Sequence, residues 1–276
     1  MAQMAKLESE DILTHGHAAL ADIERPAVLM LHGFFGGAQN WRACAEALSA
    51  HSRVLAPELP LFGEPRREDS LERLTGYLSQ FIETEKARRL IVVGNSLGGQ
   101  LAVNLALRQP LRIVGLVLTG SSGLQEWNLT YKIQRRPVRA WVYQRIAEVF
   151  CDASLVTDAM VDEVQTIFDD REKYMDALML LKSIRATSLR GLLPQVRCPA
   201  LLVWGTEDQV TPPGTANNFK RLLPDAELHF ISRCGHAPMI ESPEEFNRLV
   251  ESFVFRLAGR RSTGPRFENL RGQIRI

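Results

Sequence analysis

Four apolar residues, Leu90-Ile91-Val92-Val93, run straight into Gly94-Asn95-Ser96-Leu97-Gly98-Gly99. No other stretch constrains the fold of this chain as tightly. The first four residues suit a buried strand. The segment Gln100-Leu101-Ala102-Val103-Asn104-Leu105-Ala106-Leu107 that follows reads as a helix. The pattern Gly-x-Ser-x-Gly between them predicts a sharp turn with Ser96 at its apex and a helix from Leu97 to about Leu107. Gly94 and Gly98 stand where a side chain would collide with the turn or with a neighbouring strand. Such a turn lifts the serine hydroxyl clear of its neighbours, and the helix points its positive end toward it.

Further short apolar runs share the same form. They are Ala27 to Leu31, Val54 to Ala56, Arg89 to Val93, Ile113 to Thr119, Ala200 to Trp204 and Glu227 to Ile231. Runs apolar on both faces suit strands covered by helices on both sides of a parallel sheet. Amphipathic stretches alternate with them: Trp41 to Ala50, Ser70 to Lys86, Gly214 to Leu223 and about Pro243 to Ala258. This alternation predicts an α/β fold with an open, mostly parallel sheet, in which ligands gather at the carboxyl ends of the strands. Residues 124–194 break the pattern with helical segments at Val138 to Phe150, Thr157 to Phe168 and Arg171 to Ser188. They carry Trp127, Trp141, Lys132, Arg135, Arg136 and Arg139. The chain divides on this reading into a first core part (1–123), an inserted helical lid (124–194), a second core part (195–258) and a tail rich in Arg and Gly (259–276). The tail is expected to add little to the core or to dock on a partner. No internal repeat is present.

With 276 residues, 45% hydrophobic and 24% charged, the chain can bury a sizeable core. Lys plus Arg number 33 against 32 Asp plus Glu, a balance that gives no reason to expect a nucleic-acid partner or an acidic membrane surface. No apolar run is long enough to span a bilayer, and Met1 to Glu10 lacks the apolar core of a signal peptide. The four cysteines, Cys44, Cys151, Cys198 and Cys234, are scattered and lack Cys-x-x-Cys pairing. They read as reduced and mostly buried, in a cytoplasmic protein. The expected partner is a small-molecule substrate. The chain is compatible with a homo-oligomer.

A serine alcohol is a poor nucleophile at neutral pH unless a base reaches it and a third group fixes the base's tautomer. Of six histidines, His236 in Cys234-Gly235-His236-Ala237-Pro238 falls on a loop between the last strand and the last helix. Asp208 lies in Gly205-Thr206-Glu207-Asp208, at the end of the preceding strand, and is preferred to its neighbour Glu207. Acyl transfer also needs preorganised N–H donors for an oxyanion. The backbone of Leu97 supplies one. The loop His32-Gly33-Phe34-Phe35-Gly36-Gly37 supplies the other, through Phe34, with His32 bracing the loop and Gly33 beside the substrate. His15, His17, His51 and His229 have no supporting pattern, no spacing suggests a metal site, and no Gly-rich loop matches a phosphate cradle. No cofactor is expected.

Leu31-His32-Gly33-Phe34, Gly94 to Gly99, Gly205 to Asp208 and Gly235-His236-Ala237-Pro238 together resemble the α/β-hydrolase superfamily over residues 25–258. In that fold the serine turn is the nucleophile elbow, and the triad runs in the order Ser, Asp, His. The form Gly-Asn-Ser-Leu-Gly-Gly, with Arg233 to His236 and Glu244 to Val250, is similar to the meta-cleavage product hydrolases, which cut a carbon–carbon bond in dienoates from aromatic ring breakdown. That resemblance implies substrate contacts from the elbow asparagine, here Asn95, and from a lid arginine, here matched to Arg171. Two positions depart from it: Ala237 stands where an aromatic residue is common, and the oxyanion loop reads Gly33-Phe34-Phe35-Gly36. The residues therefore favour hydrolysis of a small or medium carboxylic ester, with carbon–carbon cleavage second. A non-catalytic small-ligand binder of the same fold is the third reading.

Overall fold

The computed structural model describes residues 12–15, 25–63, 70–124 and 137–259. His17, Trp127, Lys132, Arg135, Arg136 and the tail beyond residue 259 lie outside them. Strands β2 (Ala27–Leu31), β3 (Val54–Pro57), β4 (Leu90–Asn95), β5 (Ile113–Thr119), β6 (Ala200–Gly205) and β7 (Ala226–Ile231) run parallel, in line with the apolar runs of the sequence. A further strand, β1 (Ile12–His15), pairs antiparallel with β3 and was missed by the sequence reading. The strand order is β1-β3-β2-β4-β5-β6-β7.

Alternate residues of the central strands feed two apolar layers. Leu29, Leu31, Val92, Leu116, Leu118 and Leu202 face one side with α2 (Ser70–Thr84), α3 (Leu97–Arg108) and α7 (Pro213–Leu222). Val28, Met30, Ile91, Val93, Val117 and Val203 face the other, with α1 (Arg42–Ser49) and α9 (Pro243–Gly259). The largest wholly buried side chains, Trp41, Trp204, Phe219 and Phe246, anchor the helices to these layers. Burial of a large apolar side chain is worth about 1.5–3 kcal/mol, so the sheet with its two helical covers dominates the stability.

Between β5 and β6 the chain inserts α4 (Arg139–Ala147), α5 (Asp158–Asp169) and α6 (Arg171–Ala186). Side-chain caps fix where α5 and α6 start. The Thr157 side chain accepts from Met160 N–H at 3.3 Å, and Asp170 Oδ1 accepts from the N–H groups of Glu172 and Lys173. Val142, Val161, Val164 and Phe168 form a small core of their own. Ala177, Leu180, Leu181 and Ile184 of α6 join the layer beneath the sheet instead. The insertion is tied to the body there through α6, and again through Phe150, which joins the opposite layer. Among the described residues no helix is long and apolar enough to cross a membrane.

Candidate active site

The register of the sheet brings the suspect residues to one edge. Leu31 pairs with Gly94, Asn95 with Thr119, and Gly205 with Ile231, so the loops after β2, β4, β5, β6 and β7 open on the same side. Ser96 sits at φ +54° and ψ −116°, a backbone shape that a side chain rarely adopts. Holding a residue in such a region costs on the order of 1–3 kcal/mol, so neighbours must enforce it. Ser96 N–H donates to Thr119 O at 3.1 Å, and Ser96 O accepts from the N–H groups of Gly99, Gln100 and Ser122. The turn is also compact because two glycines let backbones touch. A Cβ on Gly98 would lie 2.0 Å from Leu31 O, and one on Gly94 would lie 2.3 Å from Gly98 O.

His236 and Asp208 are both buried, at 5% and 3% exposure. His236 Nδ1 lies 2.9 Å from Asp208 Oδ2 and 3.1 Å from Oδ1. A carboxylate opposite Nδ1 fixes the proton there and leaves Nε2 with its lone pair. Asp208 is itself held: Oδ1 accepts from Val210 N–H and Thr211 N–H at 2.9 and 2.8 Å, and Oδ2 accepts from Thr211 Oγ1 at 2.9 Å. Trp204 Nε1 donates to Thr211 O at 2.8 Å and so pins this turn to the end of β6.

Ser96 and His236 line a cavity of about 400 Å³ together with Gly33, Phe34, Asn95 and Leu97. Its remaining wall is mostly apolar and comes largely from the insertion, through Trp141, Val142, Met160, Val164 and Phe168. Leu97 opens α3, where the first backbone N–H groups of a helix have no intrahelical partner. Gly33 lies against the elbow: a Cβ there would meet Asn95 Oδ1 at 3.1 Å and Ser96 Cβ at 3.3 Å. Its loop is braced by His32, which is wholly buried and donates from Nδ1 to Gly33 O at 2.8 Å. The other ring nitrogen of His32 lies 3.0 Å from Leu59 N and 3.1 Å from Glu58 Oε1.

The alpha/beta hydrolase family model matches residues 28–249. The chain belongs to that family. It is 29% identical to a 2-hydroxy-6-oxo-2,4-heptadienoate hydrolase of Pseudomonas putida, over 82% of this chain and 88% of that one. It is 31% identical to a pimeloyl-[acyl-carrier protein] methyl ester esterase of Nitrosomonas europaea, over 80% of this chain and 92% of that one. Among solved structures it is similar to MGS-MChE2, an alpha/beta hydrolase enzyme from the metagenome of lagoon sediments at Mar Chica, Morocco. The TM-score is 0.71 and the identity 32%, covering 89% of this chain and 94% of that one.

Two residues of this hydrolase differ from their expected parts. Arg171 is exposed at the start of α6 and does not line the cavity. Among the described residues the arginine that does line it is Arg145 of α4, which pairs with Glu148 at 2.6 Å and lies 5.6 Å from the centre of the Trp141 ring. Asn95 borders the cavity, but its Nδ2 donates to Thr119 O at 3.2 Å and to His236 O at 2.9 Å. An amide nitrogen has two hydrogens, so Asn95 has none left to offer a substrate.

Among the described residues no cysteine lines the cavity. Burial pushes the thiols of Cys44 and Cys234 up to about 12 and that of Cys198 up to about 11. Cys151, expected with the others to be buried, is exposed on the turn after α4. Among the described residues no group of His, Cys, Asp and Glu is arranged to hold a metal ion. Thr211 and Arg145 escaped the sequence reading. Thr211 could have been found from its place three residues after Asp208, where a side-chain carboxylate readily accepts from a nearby backbone N–H. Nothing in the local pattern of α4 marks Arg145.

Proposed function

We propose that this α/β hydrolase is a serine hydrolase of small or medium carboxylic esters, with the helical insertion as the lid of its acyl pocket. Ser96 Oγ attacks the ester carbonyl carbon while His236 Nε2 takes the hydroxyl proton. The carbonyl oxygen becomes an oxyanion that accepts from the backbone N–H groups of Phe34 and Leu97. Collapse of this tetrahedral species breaks the bond to the alcohol oxygen, which leaves with the proton from His236. Water then gives a proton to His236 and adds to the acyl-serine. Release of the acid returns the proton to Ser96. Asp208 keeps the ring in one tautomer and stabilises its charged form throughout.

The observation that carries this reading is the buried His236–Asp208 pair at 2.9 Å, whose histidine borders the same apolar cavity as the strained Ser96. The apolar wall suits an uncharged acyl chain or ring. A fluorophosphonate probe is expected to label Ser96 at neutral pH, and p-nitrophenyl esters are expected to turn over. Neither reaction should survive Ser96→Ala. A wild-type protein that neither labels nor hydrolyses any ester in a chain-length series would instead be a ligand-binding member of the fold.

Carbon–carbon cleavage of 2-hydroxy-6-oxo-dienoates is the second reading. Arg145 in the cavity wall favours it, as does the similarity to the Pseudomonas putida dienoate hydrolase. The engagement of Arg145 with Glu148 and of Asn95 with two carbonyls weighs against it. Turnover of a coloured dienone beside negligible ester cleavage would reverse the ranking.

A further inference from the structure

Glu241 ends the short helix α8 (Pro238–Glu241), five residues after His236. Its carboxylate bridges two segments that are distant in sequence. Oε1 accepts from Cys151 N–H at 2.8 Å and from Asp152 N–H at 3.1 Å, on the turn that follows α4. Oε2 accepts from Gly235 N–H at 2.7 Å, one residue before the histidine. The same two segments meet again where His236 N–H donates to Val149 O at 2.7 Å. They touch so closely that a Cβ on Gly235 would lie 2.5 Å from Val149 O and 2.8 Å from Cys151 N. Val149 and Phe150 line the cavity on one side of this seam, and His236 and Ala237 line it on the other.

We infer that Glu241 is a positioning residue: its carboxylate clips segment 149–152 of the insertion onto the loop that carries His236, so that the cavity wall and the base move as one body. This rests on the reading of His236 as the general base. Hydrogen bonds to a carboxylate are roughly twice as strong as neutral ones, and three converge here on N–H groups that leave the sheet and helix ladders. A substrate that presses on Val149 or Phe150 therefore presses on the backbone of the histidine. Packing alone would let the two segments slide, whereas three directed bonds hold their register.

The test uses the full chain with Glu241→Gln and Glu241→Ala. Glutamine keeps one acceptor oxygen, so it can serve either the 151–152 pair or Gly235 but not both. Both variants are expected to melt cooperatively with unchanged far-UV circular dichroism. Fluorophosphonate labelling of Ser96 and kcat for a short p-nitrophenyl ester are expected to fall about 10- to 100-fold with KM little changed. Amide hydrogen exchange should quicken at Gly235, Cys151 and Asp152. A purely structural role predicts a lower melting temperature with wild-type labelling and kcat in the folded protein, and that result overturns the proposal. Wild-type exchange at the three amides overturns it as well. If Glu241→Ala does not fold, Glu241→Gln decides on the same readings. If wild-type Ser96 fails to label, the hydrolase reading falls, and the exchange measurement alone decides the clip.

Discussion

The side-chain amide of Asn95 reaches across 141 positions of sequence to the backbone carbonyl of His236, at 2.9 Å. The residue before the candidate nucleophile thus holds the loop of the candidate base, and its second hydrogen holds Thr119 O on the neighbouring strand. Asn95→Ala is expected to strip both carbonyls of a partner in a site only 5% exposed. The loss should be about 1–3 kcal/mol of stability, with kcat for esters lowered about tenfold or more through misplacement of the histidine. Urea denaturation and ester turnover measure the two effects. Unchanged stability would show that the bonds are not made in solution.

Asp208→Asn separates orientation from shape. The amide has nearly the same volume, but its nitrogen would confront either the proton on His236 Nδ1 or the N–H groups of Val210 and Thr211. The ring then prefers the tautomer that carries its proton on Nε2 and has no lone pair for Ser96. A drop in kcat of about 10⁴-fold is expected, with the fold retained by circular dichroism. A loss of less than tenfold would remove Asp208 from the machinery.

Gly98→Ala tests why the elbow has its sequence. The added methyl would sit 2.0 Å from Leu31 O, which is backbone of the adjacent strand and cannot swing away. Either α3 or the end of β2 must move, at a loss of about 1–3 kcal/mol or more. A melting curve like that of the wild type would mean that the helix start and the strand are not packed as described.

Much of this was legible in the chain because the signals were local. A run of four or five apolar residues with a glycine at or just beyond its end reads as a buried strand, and Ala27–Leu31, Leu90–Asn95 and Ala200–Gly205 bear this out. Ile12–His15 does not: Ile-Leu-Thr-His is too short and mixed to stand out, and its strand character comes from pairing with β3. At the site, Ser96 lies between Gly94 and Gly98, His236 follows Gly235, and Asp208 comes three residues after Gly205, each in a turn that the sequence announces. Glu241 acts through partners that only the fold brings near, across the 90 positions between Cys151 and Glu241, and Arg145 reaches the cavity only because α4 docks against it. Arg171, expected at the substrate but placed outside the cavity lining, illustrates the same limit, because which face of an inserted helix meets the cavity depends on how the helix docks.

The bracing of the oxyanion loop should leave a mark on stability at acid pH. Glu58 is pulled two ways. Burial alone would raise its pKa, but the hydrogen bond and charge of His32 and the N–H of Ala38 outweigh it and leave the carboxyl below its ordinary value. A carboxyl whose pKa is depressed on folding adds stability above its unfolded value, here near 4.5, and loses it as pH falls through the lower folded one. With its side chain 47% exposed the effect is screened and modest. Glu58→Gln should therefore be less stable than the wild type near neutrality, with the gap closing as pH is lowered from 4.5. Urea midpoints across that range measure it. A gap that stays constant down to the lowest workable pH would mean that the His32–Glu58 contact contributes through shape alone, with no part played by charge.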